Sequence, residues 1–290
     1  MADARAWTEL PAWRLALKNG RVLFGLAVLA LLVIAAAAAP LLAPHDPLEQ
    51  DLLSSFLPPF WHEDSDPQFL LGTDSLGRDI LSRLIYGSRV ALTVAVVASA
   101  LAGLLGTALG LLAGYLGGRV DALISRLVDI WVSFPPVLLS IVLVAIIGAG
   151  LEAVIVAIVV VDWTRFCRIV RAEVLVQREQ DYVAAAVTIG MSRLRVLISE
   201  VLPNIVPTLL VLFTLEMGIA IIVEAILSFV GLSVSSGFPT WGGLIQEGRQ
   251  YIHQAWWVMA LPMGCIIVVV LGFNALGDGL RETLDPVLRR

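Results

Sequence analysis

The residues able to do chemistry are few and far apart in this chain. Its three histidines are His45, His62 and His253, too scattered for metal-ligand spacing, and His62-Glu63-Asp64 reads as a solvated loop. No Ser, His and Asp set offers a hydrolase signature. A phosphate loop needs a lysine beside Ser or Thr, and the only lysine, Lys18, is followed by Asn19. ATP dependence would therefore have to come from another subunit. The two cysteines, Cys167 and Cys265, lie in different apolar or boundary segments and read as small core thiols. What remains is a pair of carboxylates in one apolar run, Glu216 and Glu224. They are eight residues apart, about 80° around a helix and roughly 12 Å along it. A carboxylate inside a membrane is costly and faces a cavity or a partner. Both are candidate pathway residues. An interhelical hydrogen bond for Glu216 and an interfacial structural role for Glu224 are the alternatives. Nothing here reads as an enzyme, and the chain is expected to hold no cofactor or metal of its own.

The elements that would position these groups are membrane helices. Of 290 residues, 59% are apolar and 15% charged, and the mean hydropathy is +0.90. A spanning helix needs about 20 mostly apolar residues, and six candidate spans can be read at residues 24–42, 91–116, 130–147, 151–161, 205–227 and 256–275. The fourth is short as written and runs on toward Cys167, with Asp162 at the membrane edge. The fold class expected is all-α, a polytopic bundle of six transmembrane helices. Lys18 and Arg21 before the first run, with small residues at 35–39, could also mark a signal peptide. The run exceeds the about 7–15 residues of a signal core, so an uncleaved first helix is preferred. Charge gives the orientation. With the N-terminus in the cytoplasm, 15 of the 19 basic residues fall inside, and only Arg78, Arg83, Arg89 and Arg249 fall outside. Both termini are then cytoplasmic. No basic tract or aromatic-basic platform suits nucleic acid.

The expected organisation is a cytoplasmic segment (1–23), a first helix (24–42), an outer loop (43–87), a core (88–280) containing an inner loop (164–204), and a tail (281–290). In the outer loop, Leu71-Gly72-Thr73-Asp74 and Leu76-Gly77-Arg78-Asp79 carry turn chemistry: glycine for unusual backbone angles, Asp74 or Asp79 as a helix cap. Residues 79–86 have apolar positions at i, i+1, i+4 and i+5, which predicts an amphipathic helix along the outer membrane surface. Gly72, Thr73, Asp74, Gly77, Arg78 and Asp79 serve either a structured connector or a docking surface for an external partner. In the inner loop, Arg165, Arg168 and Arg171 suit lipid phosphates. Beyond them come Tyr182, then Ala184, Ala185 and Ala186, whose small side chains let a short helix sit deep in a groove of another protein. Gly190 breaks that helix, and Leu202-Pro203 is expected to end the next one and start the return into the membrane.

The ordered set of motifs resembles a known family. Residues 71–89 read Leu-Gly-Thr-Asp-x-x-Gly-Arg-Asp-x-x-Ser-Arg-x-x-x-Gly-x-Arg. Downstream stand Gly114-Tyr115-Leu116-Gly117-Gly118-Arg119, the Asp181-Tyr182-Val183-Ala184-Ala185-Ala186 run with Gly190 and Leu202-Pro203-Asn204, then Glu224-Ala225-Ile226-Leu227-Ser228-Phe229, Trp241-Gly242 and Asn274-Ala275-Leu276-Gly277-Asp278-Gly279. In order and spacing these are similar to the permease subunits of dipeptide and oligopeptide ABC importers, the subunit type with a large external loop after the first helix. The resemblance covers nearly the whole chain. It implies a type I ABC importer permease fold in a bacterial inner membrane and an inner loop that couples to ATPases. The implied partners are a homologous second permease, two ATPase subunits or domains using ATP and Mg, an extracytoplasmic solute-binding protein, membrane lipid and a peptide-like substrate. One position departs: the family has Glu at the head of its Glu-Ala-Ala triplet, and here it is Ala184. A salt bridge from that position cannot form, leaving Glu179 and Asp181 as nearby carboxylates. The alternative class, a stand-alone channel or secondary transporter, would need its own filter or coupling-ion site, and none is evident.

Overall fold

A computed structural model describes residues 18–233 and 238–284. The sequence positions Arg5, Arg14, Arg289 and Arg290, with most of the expected terminal segments, lie outside the described residues. Helix α1 (Gly20–Ala37) starts at Asn19, whose side chain accepts from the Arg21 N–H at 2.9 Å. Then come α2 (Ile80–Leu116), α3 (Gly118–Val132), α4 (Pro136–Ile147), α5 (Leu151–Gln177), α6 (Asp181–Thr188), α7 (Leu202–Phe229), α8 (Trp241–Arg249) and α9 (Trp257–Leu284). Among the described residues, four stretches are long and apolar enough to cross a membrane: α1, α2, the continuous Arg193–Phe229 that contains α7, and α9. The bent pair α3–α4 makes a fifth, turning 87° at its break. The bend follows from Pro135-Pro136, since proline donates no backbone bond and forces its predecessor out of the helical region. Helix α5 has 27 residues, but Asp162, Arg165 and Arg168 interrupt its apolar run.

Three sequence expectations change. Residues 79–86 form no separate surface helix. They are the first turns of the 37-residue α2, with Ile80 and Leu84 buried in the core. Gly87 does not break it; the helix is bare of a side chain there because Trp241 packs against that point. Asp162 lies mid-helix and buried rather than at an edge. Leu202-Pro203 ends nothing, because the helix runs on through it. The turn just before, Leu197–Val201, widens to π geometry, and the Leu202 N–H reaches the Leu197 carbonyl. Pro203 has no N–H to give, and the wider turn lets the helix pass it.

Close packing rests on small residues, as in helix pairs that gain no hydrophobic drive from lipid. Along α2, Gly106, Gly110 and Gly114 recur every fourth residue. A Cβ on them would meet the Trp163 carbonyl at 2.3 Å, the Cys167 carbonyl at 2.8 Å and Val174 at 2.8 Å. Helices α2 and α5 therefore touch backbone to backbone. On the other flank, Gly25 of α1 meets Gly272 and Leu276 of α9. Large apolar side chains such as Leu31, Leu104, Ile146 and Leu271 stay exposed, as a lipid or subunit boundary requires.

Candidate functional site

Between α5 and α7, α6 is a two-turn helix with one buried side. Val183 and Ala186 pack among Val170, Val174, Val196, Leu197, Val201 and Ile205. The three alanines do not share a face. Ala186 turns inward, while Ala184 and Ala185 are exposed. Around those two, Val187, Ile189, Leu194 and Ile198 are exposed as well, an apolar surface on a loop between spans. The helix closes in a Schellman arrangement: the Gly190 N–H donates to the Val187 carbonyl at 3.0 Å and the Met191 N–H to the Ala186 carbonyl at 3.1 Å. Gly190 sits at φ +86°, the left-handed angle this cap demands.

Tyr182 ties α6 to both flanking helices. Its hydroxyl donates to Gln177 Oε1 of α5, and Asn204 Nδ2 of α7 donates to the hydroxyl at 3.3 Å while also reaching the Glu200 carbonyl at 2.6 Å. Partial burial, helped by the Glu200 carboxylate, pushes the phenol's pKa up, so it remains a donor at neutral pH. Gln177 and Asn204 were missed as site residues; only the fixed distance from Tyr182 to Asn204 hinted at them. The arginines serve mainly as ties between helices rather than lipid anchors. Arg165 donates to Glu216 at 3.0 Å, Arg171 forks onto Asp121, and Arg178 reaches the Gly114 carbonyl at 3.0 Å. Arg168 alone of the every-third-residue set stays exposed. Glu179 pairs with Arg178 at 3.1 Å, which leaves Asp181, exposed in the first turn of α6, as the open carboxylate.

In the loop before α2, five of the six expected loop residues are buried: Gly72, Thr73, Asp74, Gly77 and Asp79, with Arg78 half-buried. They build an internal clamp. Asp74 closes the 74–78 turn by accepting from the Leu76 and Arg78 N–H groups at 2.8 and 3.1 Å. It also accepts from the guanidiniums of Arg78, at 2.8 Å, and Arg83. Both arginines continue to Glu247 of α8, at 2.8 and 2.7 Å. Asp79 caps α2, accepting from the Ser82 N–H at 2.9 Å and its hydroxyl at 2.6 Å. Thr73 accepts from the Leu57 N–H at 2.8 Å and donates to the Ser54 carbonyl. Loop, α2 and α8 are thus one charge-paired unit. Glu247 stands 164 residues from Arg83 in the chain, and only the fold brings the two together.

The two mid-run carboxylates are internal ties. Glu216 is fully buried with Arg165 on one oxygen, joining α7 to α5. Glu224, also buried, accepts from Ser228 at 2.6 Å and Ser233 at 3.2 Å, and Thr240 donates on to Ser228 at 2.9 Å. The other Glu216 oxygen has no hydrogen-bond partner among the described residues, and Glu224 meets hydroxyls alone, so these bonds offset only part of the cost of burying a carboxylate.

A family model described as the binding-protein-dependent transport system inner membrane component matches residues 106–290. The N-terminal TM domain of oligopeptide transport permease C matches residues 11–59. The chain is 42% identical over 277 residues to the di/tripeptide transport system permease protein DppC of Pseudomonas aeruginosa, covering 96% of this chain and 91% of that one. It is 41% identical to the dipeptide permease DppC of Escherichia coli K12, covering 96% and 93%.

This chain belongs to the binding-protein-dependent permease family.

Its fold agrees. The permease superposes on a chain of the inward-facing MetNI methionine ABC transporter with TM-score 0.60 at 20% identity, covering 70% of this chain and 97% of that one. The fold is that of an ABC importer permease, an all-helical membrane bundle. The relatives are named as permease proteins of transport systems.

Proposed function

We propose that this permease forms half of an ATP-driven importer of dipeptides and oligopeptides in a bacterial inner membrane. A homologous second permease completes the pathway. A solute-binding protein delivers substrate from outside, and two cytoplasmic ATPase subunits consume ATP with Mg. The observation that carries this reading is the exposed face of α6, where Ala184 and Ala185 sit among open apolar side chains at the end of a membrane bundle. Small side chains admit a partner's groove close to the helix backbone. With Ala184 at the usual Glu position, shape and apolar contact carry the docking. ATP drives transport because ATP-bound ATPases favour one conformation of the bundle over the other. Relatives named for dipeptide and di/tripeptide transport support the substrate class.

Affinity purification of the tagged permease from its own membranes tests the assignment. ATPase subunits should come down with it. A stand-alone channel would come down without them, and that outcome would sink the proposal.

Both termini are placed in the cytoplasm, on the 15-to-4 distribution of basic residues. A cysteine introduced at Ser65 should react with an impermeant maleimide in intact cells, and one at Arg178 should react only after lysis. Equal labelling of both from outside would overturn the orientation.

A further inference from the structure

The Arg165–Glu216 tie has a third member. Asp162 stands one turn before Arg165 on α5, and residues three apart on a helix share a face. Asp162 is buried, as Glu216 is. Its carboxyl group comes within hydrogen-bonding reach of the Glu216 carboxyl, and the Arg165 guanidinium acts on both. Arg165 donates to Glu216 Oε2 at 3.0 Å. Glu216 Oε1 is sealed from solvent and receives no donor. Asp162 supplies none while both groups are ionised, because a carboxylate only accepts.

Two carboxylates thus share one guanidinium in a closed space. The surrounding helices bring no further countercharge. Helix α2 from Ala91 to Leu116 and all of α4 contain no charged residue, and the charged residues of α9 lie in its last two turns, from Asp278 on. The charged groups that act on Asp162 and Glu216 are each other and Arg165, and none from α3 or α9. Two like charges in contact inside an apolar bundle do not both persist beside a single countercharge, and one proton held between them removes the conflict. The same proton makes the missing hydrogen bond. A metal cation would need a fuller set of ligands, and among the described residues no three acidic, histidine or cysteine side chains stand together to hold one. We propose that Asp162 and Glu216 form a one-proton site, a carboxyl–carboxylate pair that with Arg165 makes a neutral bond between α5 and α7. These are the two long helices on either side of α6, so the proton fastens together both supports of that helix.

Infrared spectroscopy reads the proton directly, because only a protonated carboxyl group shows an acid carbonyl band. The sample is the permease complex purified from its own membranes into lipid nanodiscs at neutral pH. The unmutated protein should show an acid band that disappears in Asp162→Asn and also in Glu216→Gln, since either change leaves one carboxylate for one guanidinium. Glu224→Gln, the control for the other buried carboxyl group, should leave that band in place. A band that survives Asp162→Asn would show that no proton is shared and would overturn the site. Absence of an acid band from the unmutated complex would do so whatever the variants' folding. Thermal unfolding gives a second reading. Each single variant keeps a neutral cluster and should unfold close to the unmutated protein. The double variant strips Arg165 of its partner and should unfold well below what the two singles add up to. Single variants clearly more stable than the unmutated protein would reveal two ionised carboxylates in repulsion, against the proposal. Stabilisation of the unmutated complex by sodium over choline, without an acid band, would put a cation in the proton's place and equally overturn it.

Discussion

Gly77→Val is expected to abolish solute uptake while ATPase subunits still copurify. Gly77 stands at φ +72°, and a Cβ there would lie 1.8 Å from the Asp51 carbonyl oxygen. The obstacle is backbone, so no rotamer change relieves it. Strained backbone costs about 1–3 kcal/mol, and overpacking adds about 1–3 kcal/mol. The sum rivals breaking a buried ion pair, about 3–5 kcal/mol. The 74–78 turn would open, and Asp74 would lose its grip on Arg78 and Arg83. Gly77→Asn should fail as well, because asparagine accepts the angle but not the missing space. Uptake in whole cells and thermal unfolding of the purified complex measure both variants. Unchanged uptake would show that the clamp has no part in transport.

Gly190→Val should uncouple the permease with little loss of stability. Here φ is +86°, but a Cβ added at this position would meet nothing within 4 Å. The cost is therefore backbone strain alone, about 1–3 kcal/mol, and local. The Schellman closure of α6 fails, and the exposed face that bears Ala184 and Ala185 is displaced. Stimulated ATP hydrolysis and uptake should fall together, while the spans still insert. Gly190→Asn should restore much of the activity, since asparagine tolerates this angle. That rescue separates Gly190 from Gly77. Ala185→Trp should uncouple in the same way by placing bulk on the docking face. Wild-type uptake and hydrolysis in both Gly190→Val and Ala185→Trp would end the coupling assignment.

The helices were legible wherever apolar runs were long, because a span's length and hydropathy are local properties. The Ala-Ala-Ala run, Gly190 and the cap residue Asp79 were legible for the same reason: small-residue clusters and caps act within one or two turns. What sequence could not give was partnership across the chain. Arg78 and Arg83 read as outer-face charges available to a partner, and only the fold brings Glu247 to consume them. Arg165 and Arg171 read as lipid anchors until Glu216 and Asp121 arrive from other helices. Residues 79–86 read as a surface helix of their own, and Gly87, just beyond them, is a residue that costs a helix interior about 1 kcal/mol. The structure uses that absent side chain to admit Trp241. Pro203 read as a stop because a proline removes one helical bond, and the compensating wide turn upstream leaves no signature in composition.

The glycine contact between α2 and α5 has a mechanical consequence. Side-chain interfaces can slide by rotamer exchange, but two backbones in contact at Gly106, Gly110 and Gly114 have no such slack. The pair behaves as one stiff strut. Its inner end leads into α6, which begins at Asp181 shortly after Gln177, and its outer end begins at Asp79 beside the Asp74 clamp. In the proposed import reading, a push on α6 would reach the Asp74 clamp at the strut's other end through the strut itself, without any relay of side chains between.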